Sequence, residues 1–329
     1  MNIFTLKILL LVLMIFTIAC NDTPTENIKG ERFGKVFITS NVIGAEIFLD
    51  NISMNKLTPD TISALATGHI IKIRNVGFFS AEQEIIFDDK KLQTLELILI
   101  KNKLKKNVLL ENFTNVNCGK CIEASITINK LQNQFSNSLF FINYHTQFPS
   151  SNDPFYNEAK TDINLRANYY GVFESPTIII YGAKSDLVND ISILFTTIEK
   201  SKKEFTSFEI SVQDSVLSQN GFNIAVFVDV FDADNLNFKS LVLRILLIEK
   251  NIELQKSPGT NGERKFSNVV RAILPSNNGR SLEGINQKGK YKFFENKLLN
   301  PLWKTDNLFV VAFIQNNLTK KILQAGSSE

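Results

Sequence analysis

Cysteine and histidine are scarce in this chain, with three cysteines and two histidines in 329 residues. The histidines, His69 and His145, lie far apart in sequence. A His-rich metal site or a Cys–His nucleophile pair therefore has little material to draw on. The cysteines are too few for a disulfide scaffold, which needs many half-cystines for its size. Charge of one sign is not in excess either. Lys and Arg number 36 against 33 Asp and Glu, a formal net charge of +3, so the basic footprint of a nucleic-acid binder is missing. The apolar run at the N-terminus, Ile8 to Ala19, falls short of the about 20 residues that a transmembrane helix needs. At 44% hydrophobic and 21% charged, the composition is that of globular protein and too apolar for a disordered one. The length suggests two or three domains at about 100–200 residues each.

Residues 1–20 carry one positive charge (Lys7), the apolar run and a small residue, Ala19, before Cys20. This pattern predicts a secretory signal peptide. The ending Thr17-Ile18-Ala19-Cys20 resembles the bacterial lipoprotein lipobox. That resemblance implies lipid attachment (palmitate among the acyl chains) at Cys20 and an anchored place in the bacterial cell envelope, at the outer membrane. Acyl anchoring is the simplest use of a cysteine at that point; an ordinary signal peptide with an incidental cysteine is the alternative. Residues 21–31 are polar and without periodicity, as in a tether.

From Gly34 the pattern becomes β. Gly34 to Ser40 and Ala45 to Asp50 alternate apolar with polar residues across an Asn41–Gly44 turn, and His69–Arg74, Glu84–Asp88 and Leu95–Ile100 are further β-rich runs. Thr58-Pro59-Asp60 and Val76-Gly77-Phe78 mark connections. Residues 32–101 thus read as a small β-sandwich. The landmarks Ser40-Asn-Val-Ile-Gly44-Ala45, Ile47-Phe-Leu-Asp50, Thr58-Pro59, Gly68-His69 and Gly77-Phe78 resemble the PEGA domain, with Val42-Ile43 standing where its proline and glutamate would be. Such modules are adaptors that hold neighbours or cell-wall material without chemistry of their own. His69, just before a strand, reads as a packing or turn residue.

The chemistry-bearing segment is 104–200. A strand-like run, Asn107 to Phe113, leads through Thr114-Asn-Val-Asn117 to Cys118-Gly-Lys-Cys121. Apolar residues at Ile122, Ile126, Leu131 and Phe135 follow at near-helical spacing, so Cys118 lies at a helix N-terminus. A β run (Leu139–Tyr144), a helical pattern (Ala159, Ile163, Leu165, Tyr169), the step Ser175-Pro176-Thr177, a buried-type strand and a last helix (Leu194–Lys200) complete it. The succession resembles the thioredoxin fold, with Ser175, Pro176 and Thr177 as its substrate-touching cis-proline loop.

Backbone N–H groups at a helix start favour a thiolate on Cys118, and Lys120 adds positive charge. Cys121, one turn deeper, then resolves a mixed disulfide by expelling the bound partner. Asn112 stands where thioredoxins keep a buried aspartate, and Glu111 beside it points to the opposite face. Asn117 replaces the tryptophan usual before the pair. Two other readings stay open: a static disulfide stapling the loop, and a structural zinc, for which His145 is the local candidate besides carboxylates. Asp153, Glu158, Asp162 and Glu174 read as solvated surface residues.

The last third, 204–329, is β-patterned throughout, from Ser207–Val212 and Phe222–Phe231 through Leu241–Glu249 to Leu308–Gln315 and Lys320–Ala325. It reads as an immunoglobulin-like β-sandwich, with the lone Trp303 in its core or rim. Val311-Ala-Phe-Ile-Gln-Asn-Asn-Leu-Thr-Lys-Lys-Ile-Leu-Gln-Ala325, with Leu109-Leu-Glu-Asn-Phe-Thr114, resembles a bacterial outer-membrane lipoprotein family that joins a thioredoxin-like half to a β-sandwich half.

The expectation is a multidomain α+β protein needing neither cofactor nor metal. Its function is thiol–disulfide exchange on exported proteins, Cys118 attacking and Cys121 resolving. The alternative is a non-catalytic envelope adaptor. The expected partners are exported or envelope proteins bearing thiols or disulfides, the membrane through the lipid, and cell-wall or surface polymers; nucleic acid is excluded.

Overall fold

The computed structural model describes residues 30–329 apart from 137, 186–189, 218–220, 235 and 286. The signal peptide, Cys20 and the tether up to residue 29 lie outside the described residues.

Phe33–Ser40 buries Val36 and Ile38 at alternate positions. It lies between Asp60–Leu65, antiparallel, and Leu92–Leu97, parallel. A second sheet, in the order Ile52–Leu57, Glu46–Leu49, Gly68–Arg74, Ala81–Ile86, packs against it. Ile47, Ile62, Ile71, Ile73 and Phe87 join Val36 and Ile38 in the core between the sheets. Two of these strands flank Thr58-Pro59, where sequence suggested only a connection. Asp50 and Asn51 explain the first: their φ angles of 49° and 67° make the two-residue turn whose backbone matches strand twist. That turn folds Ile52–Leu57 back onto Glu46–Leu49 although its own alternation is weak.

Val108–Thr114 is buried at every position. It pairs in parallel with Leu139–His145 and antiparallel with Thr177–Ile180. The sheet does not stop there. Asn143 pairs with Val269 of Lys265–Leu274, and the order continues through Leu241–Glu253, Leu308–Asn316 and Ile322–Ser327. The segments that sequence suggested as separate units, 104–200 and 204–329, share this sheet.

Helices α1 (Gly119–Phe135) and α4 (Ile191–Lys202) set Ile128, Leu131, Leu194 and Ile198 on Val108, Leu110, Ile178 and Ile180. On the opposite face lie α2 (Pro154–Glu158) and α3 (Lys160–Tyr170). Tyr156, Ile163 and Ala167 there cover Leu109 and Phe113, and also Leu246, Ile248, Val311 and Phe313 of the C-terminal strands. Leu243, Ile245 and Leu247 point the other way, into a core shared with the antiparallel sheet Phe208–Val216, Gly221–Val230, Gly289–Leu298. Strand Leu241–Glu253 is therefore covered on both faces, which is why it reads as a near-continuous apolar run. Each aliphatic side chain so buried contributes roughly 1.5–3 kcal/mol.

One buried charge cluster crosses the join. Arg166 donates from Nε and Nη2 to the two Glu111 oxygens, both at 2.8 Å, and from Nη1 to Gln315 at 2.9 Å. The hydroxyls of Tyr144 and Tyr170 donate to Glu111 at 2.9 and 2.6 Å. Burial works against the guanidinium charge, but the Glu111 carboxylate outweighs it and holds Arg166 protonated. Gln315 also accepts from Arg244 at 2.9 Å, so both halves contribute to the cluster.

Candidate functional site: the Cys118–Cys121 pair

Strand Val108–Thr114 ends in a turn that Asn115 helps to hold. Asn115 Nδ2 donates to the carbonyls of Thr146 and Ser150 at 2.6 and 2.8 Å, while its Oδ1 accepts from Asn117 N at 2.8 Å. That turn delivers Cys118 to the N-cap position of α1, with extended backbone and no side-chain cap. The open N–H groups of a first turn are the groups that stabilise a thiolate. Cys118 and Cys121 are joined by a disulfide, their Cα atoms 5.3 Å apart. Cys121 is fully buried and Cys118 is 5% exposed. Gly119 and Lys120, between them, are exposed.

Across from the pair, the Cys118 sulfur lies 3.4 Å from the Ser175 carbonyl oxygen. The Ser175–Pro176 peptide is cis. Ser175 Oγ meets Thr146 Oγ1 at 2.9 Å, and Thr177 Oγ1 donates to the Glu174 carbonyl at 2.9 Å. Thr177 then begins the strand that pairs with Phe113. The fold thus gathers residues 118, 121 and 175–177, distant in sequence, at one end of the large sheet.

Beneath the turn sits Asp153, which the sequence suggested as a solvated carboxylate and which is instead fully buried. It accepts from Val116 N at 2.9 Å and His145 Nδ1 at 2.8 Å, and caps α2 through Phe155 N at 2.9 Å and Tyr156 N at 3.2 Å. Burial pushes its pKa up, but His145 and the backbone donors win and hold the carboxyl below the ordinary value. The Asp153-Pro154 step, a cap followed by proline at the first helical position, is the signal that would have found it. His145 is 3% exposed and packs against the rings of Phe155 and Phe266. Among the described residues no cluster of three or more His, Cys, Asp or Glu could hold a metal.

The other carboxylates divide. Glu158 accepts from Arg271 at 2.7 Å and from the indole of the buried Trp303 at 2.8 Å. Asp162 accepts from Ile273 N at 3.0 Å, and burial raises its pKa. Only Glu174 of the four is exposed without such anchoring by the sheet. His69 is tied to Asp50 at 2.7 Å in the N-terminal module, remote from the pair in the fold.

Asn112, on the α1 side of its strand, is fully buried. Its Nδ2 donates to Asn143 Oδ1 at 2.8 Å, while its own Oδ1 has no partner among the described residues. Asn143, Ser125, Asn129, Thr114, His145 and Glu263 line a cavity of about 40 Å³ beside α1, space enough for one or more waters. Burial raises the Glu263 carboxyl pKa there. Glu263 comes from the C-terminal half, and no spacing in the sequence links it to the cysteines.

No family model and no curated protein matches the sequence. Among solved structures, HBP35 of Porphyromonas gingivalis is similar in fold, with a TM-score of 0.56 at 19% identity over 69% of this chain and 76% of that one. A protein of Agrobacterium tumefaciens gives a TM-score of 0.45 at 12% identity, covering 68% of this chain and 95% of its own. A domain of the outer membrane lipoprotein Omp28 from Porphyromonas gingivalis gives 0.27 at 13% identity over 38% of this chain and 88% of that domain. No helix among the described residues is long and apolar enough to cross a membrane.

Proposed function

We propose that the chain is an envelope lipoprotein, anchored through Cys20, whose Cys118–Cys121 disulfide exchanges with thiols of exported proteins. In this reading residues 104–200 are a thioredoxin-like half, with a PEGA-like module (32–101) before it and an immunoglobulin-like sandwich (204–329) after it. The observation that carries the reading is the disulfide at the start of α1, with its Cys118 sulfur 3.4 Å from the Ser175 carbonyl.

A partner thiolate attacks Cys118 Sγ, the bond to Cys121 breaks, and Cys121 leaves as a thiolate. A second partner thiolate then attacks the partner sulfur of the mixed disulfide and releases Cys118. The partner dithiol is oxidised to a disulfide and both electrons rest on the 118–121 pair. The reverse sequence reduces a partner disulfide.

A Cys121→Ser chain expressed with its own leader tests this. A redox role gives dithiothreitol-sensitive adducts with envelope proteins that a Cys118→Ser chain does not form. Absence of adducts favours the second reading, a non-catalytic adaptor whose β modules hold envelope proteins or surface polymers. Two observations favour that reading: Cys118 is only 5% exposed, and a neutral Asn112, its Oδ1 without a partner among the described residues, occupies the strand that leads to the pair.

A further inference from the structure

The two long strands Leu241–Glu253 and Lys265–Leu274 are joined by residues 254–264, and the tip of this connection rests on the segment that carries Cys118. Asn261 N donates to the Val116 carbonyl at 3.1 Å, and Thr260 N donates to Asn117 Oδ1 at 3.1 Å. Thr260 Oγ1 reaches the Asn117 carbonyl, and Asn261 Nδ2 the Cys118 carbonyl, each at 3.5 Å. Gly259 makes the approach possible: a Cβ there would stand 2.2 Å from the Val116 carbonyl oxygen. Val116 is fully buried, in one cluster with Ile252 and Phe266 from the feet of the same two strands. These contacts come from the half of the chain that bears no cysteine.

We propose that this tip sets which partners reach the pair. Docked on residues 116–118, it walls one side of Cys118. The approach left open runs past the exposed Lys120 and the half-buried Ser175 and Pro176. That opening admits a slim extended segment bearing the thiol, and turns away a thiol set on a broad folded surface. The step itself is the attack on Cys118 Sγ with loss of Cys121 thiolate given above, so the inference rests on the exchange reading. It adds the class of partner.

The test compares two reductants on the oxidised full-length chain: dithiothreitol, which is small, and a reduced dithiol protein, in which the thiol sits on a folded surface. Gly259→Ala must push the tip away from Val116, and Asn261→Ala removes the side-chain contact to the Cys118 carbonyl and the bond that Glu263 N donates to Asn261 Oδ1, without adding bulk. Both variants are expected to speed reduction by the protein relative to dithiothreitol by about tenfold, the low end of the spread among variants of one interface. A ratio unchanged in both variants, or a rise shared equally by the two reductants, overturns the proposal. Circular dichroism identifies a Gly259→Ala chain that fails to fold, and Asn261→Ala then decides alone. If adducts form with Cys121→Ser but the ratio stays fixed, only the gating fails. If the ratio shifts without adducts, the tip still limits access to the disulfide, but the exchange reading fails and the class of partner drawn from it fails too.

Discussion

Glu111 and Asn112 are neighbours on one strand and meet opposite surroundings. Glu111 faces α3 and is saturated by Arg166, Tyr144 and Tyr170. Asn112 faces α1, gives one hydrogen bond to Asn143 and keeps an oxygen without a partner. A buried charge is tolerated only when every lone pair is met, because its desolvation costs several kcal/mol. A neutral amide can leave one acceptor open at lower cost. The α3 face therefore joins the two halves through a saturated buried charge, while the α1 face joins them through neutral amides such as Asn143 to the Ser267 carbonyl and leaves an acceptor unmet.

The sharpest way to break that contrast is Glu111→Ala. It leaves the Arg166 guanidinium buried without its carboxylate, and about 3–5 kcal/mol of stability should go. Urea unfolding of the variant measures it. Glu111→Gln with Arg166→Met removes both charges together and should lose much less; equal losses would show that packing, not charge pairing, sets the cost.

Asp153→Ala comes next, at roughly 2–3 kcal/mol near neutral pH, since it removes a helix cap, the bond to Val116 N and the partner of His145. The folded carboxyl titrates below its ordinary value. Its contribution is therefore present above the unfolded value of about 3.9 and fades as pH falls through the lower folded value. Wild type and variant should differ at pH 7 and converge in acid. A gap that persists unchanged however far the pH is lowered would show that Asp153 acts through shape alone.

Much of this was legible in the chain and some was not, for physical reasons. The strands of the last third and the cysteine pair at a helix start follow from local periodicity, because each pattern is written within a few residues. Ile52–Leu57 was hidden because its turn, Asp50-Asn51, carries the information rather than the strand. The shared sheet was hidden because Asn143 meets Val269 across an intervening run of helices and strands. A trace of it was present: Leu241–Ile248 is too uniformly apolar for a sandwich strand with one solvated face. The Gly259–Asn261 tip reads in sequence as an ordinary polar turn, and only its docking on Val116 gives it meaning.

The disulfide separates the two faces in another way. Reducing it, or Cys121→Ser, opens a loop of very few residues, for which chain entropy gives about 2 kcal/mol. Thermal melts with and without reductant should show a modest drop. A loss as large as that of Glu111→Ala would mark the pair as a principal support of the fold and count against a labile role.

Asn112→Leu should have the smallest effect. The change removes one hydrogen bond to Asn143, about 1 kcal/mol, and exchanges the fully buried, partnerless Asn112 oxygen for an Asn143 Oδ1 without its donor, half-buried at the edge of the cavity. Leucine has similar size and meets Ile178 and Ile128 on the same face, so the two terms nearly cancel and the net change stays within about 1 kcal/mol. The rate of disulfide reduction by dithiothreitol should stay as it is, since Asn112 carries no titrating proton. A variant destabilised as strongly as Glu111→Ala would mean that the acceptor left unmet on the α1 face is satisfied in solution. A variant of normal stability with slowed reduction would instead make Asn112 a positioning residue for the pair, holding its geometry through Asn143 and the cavity beside α1.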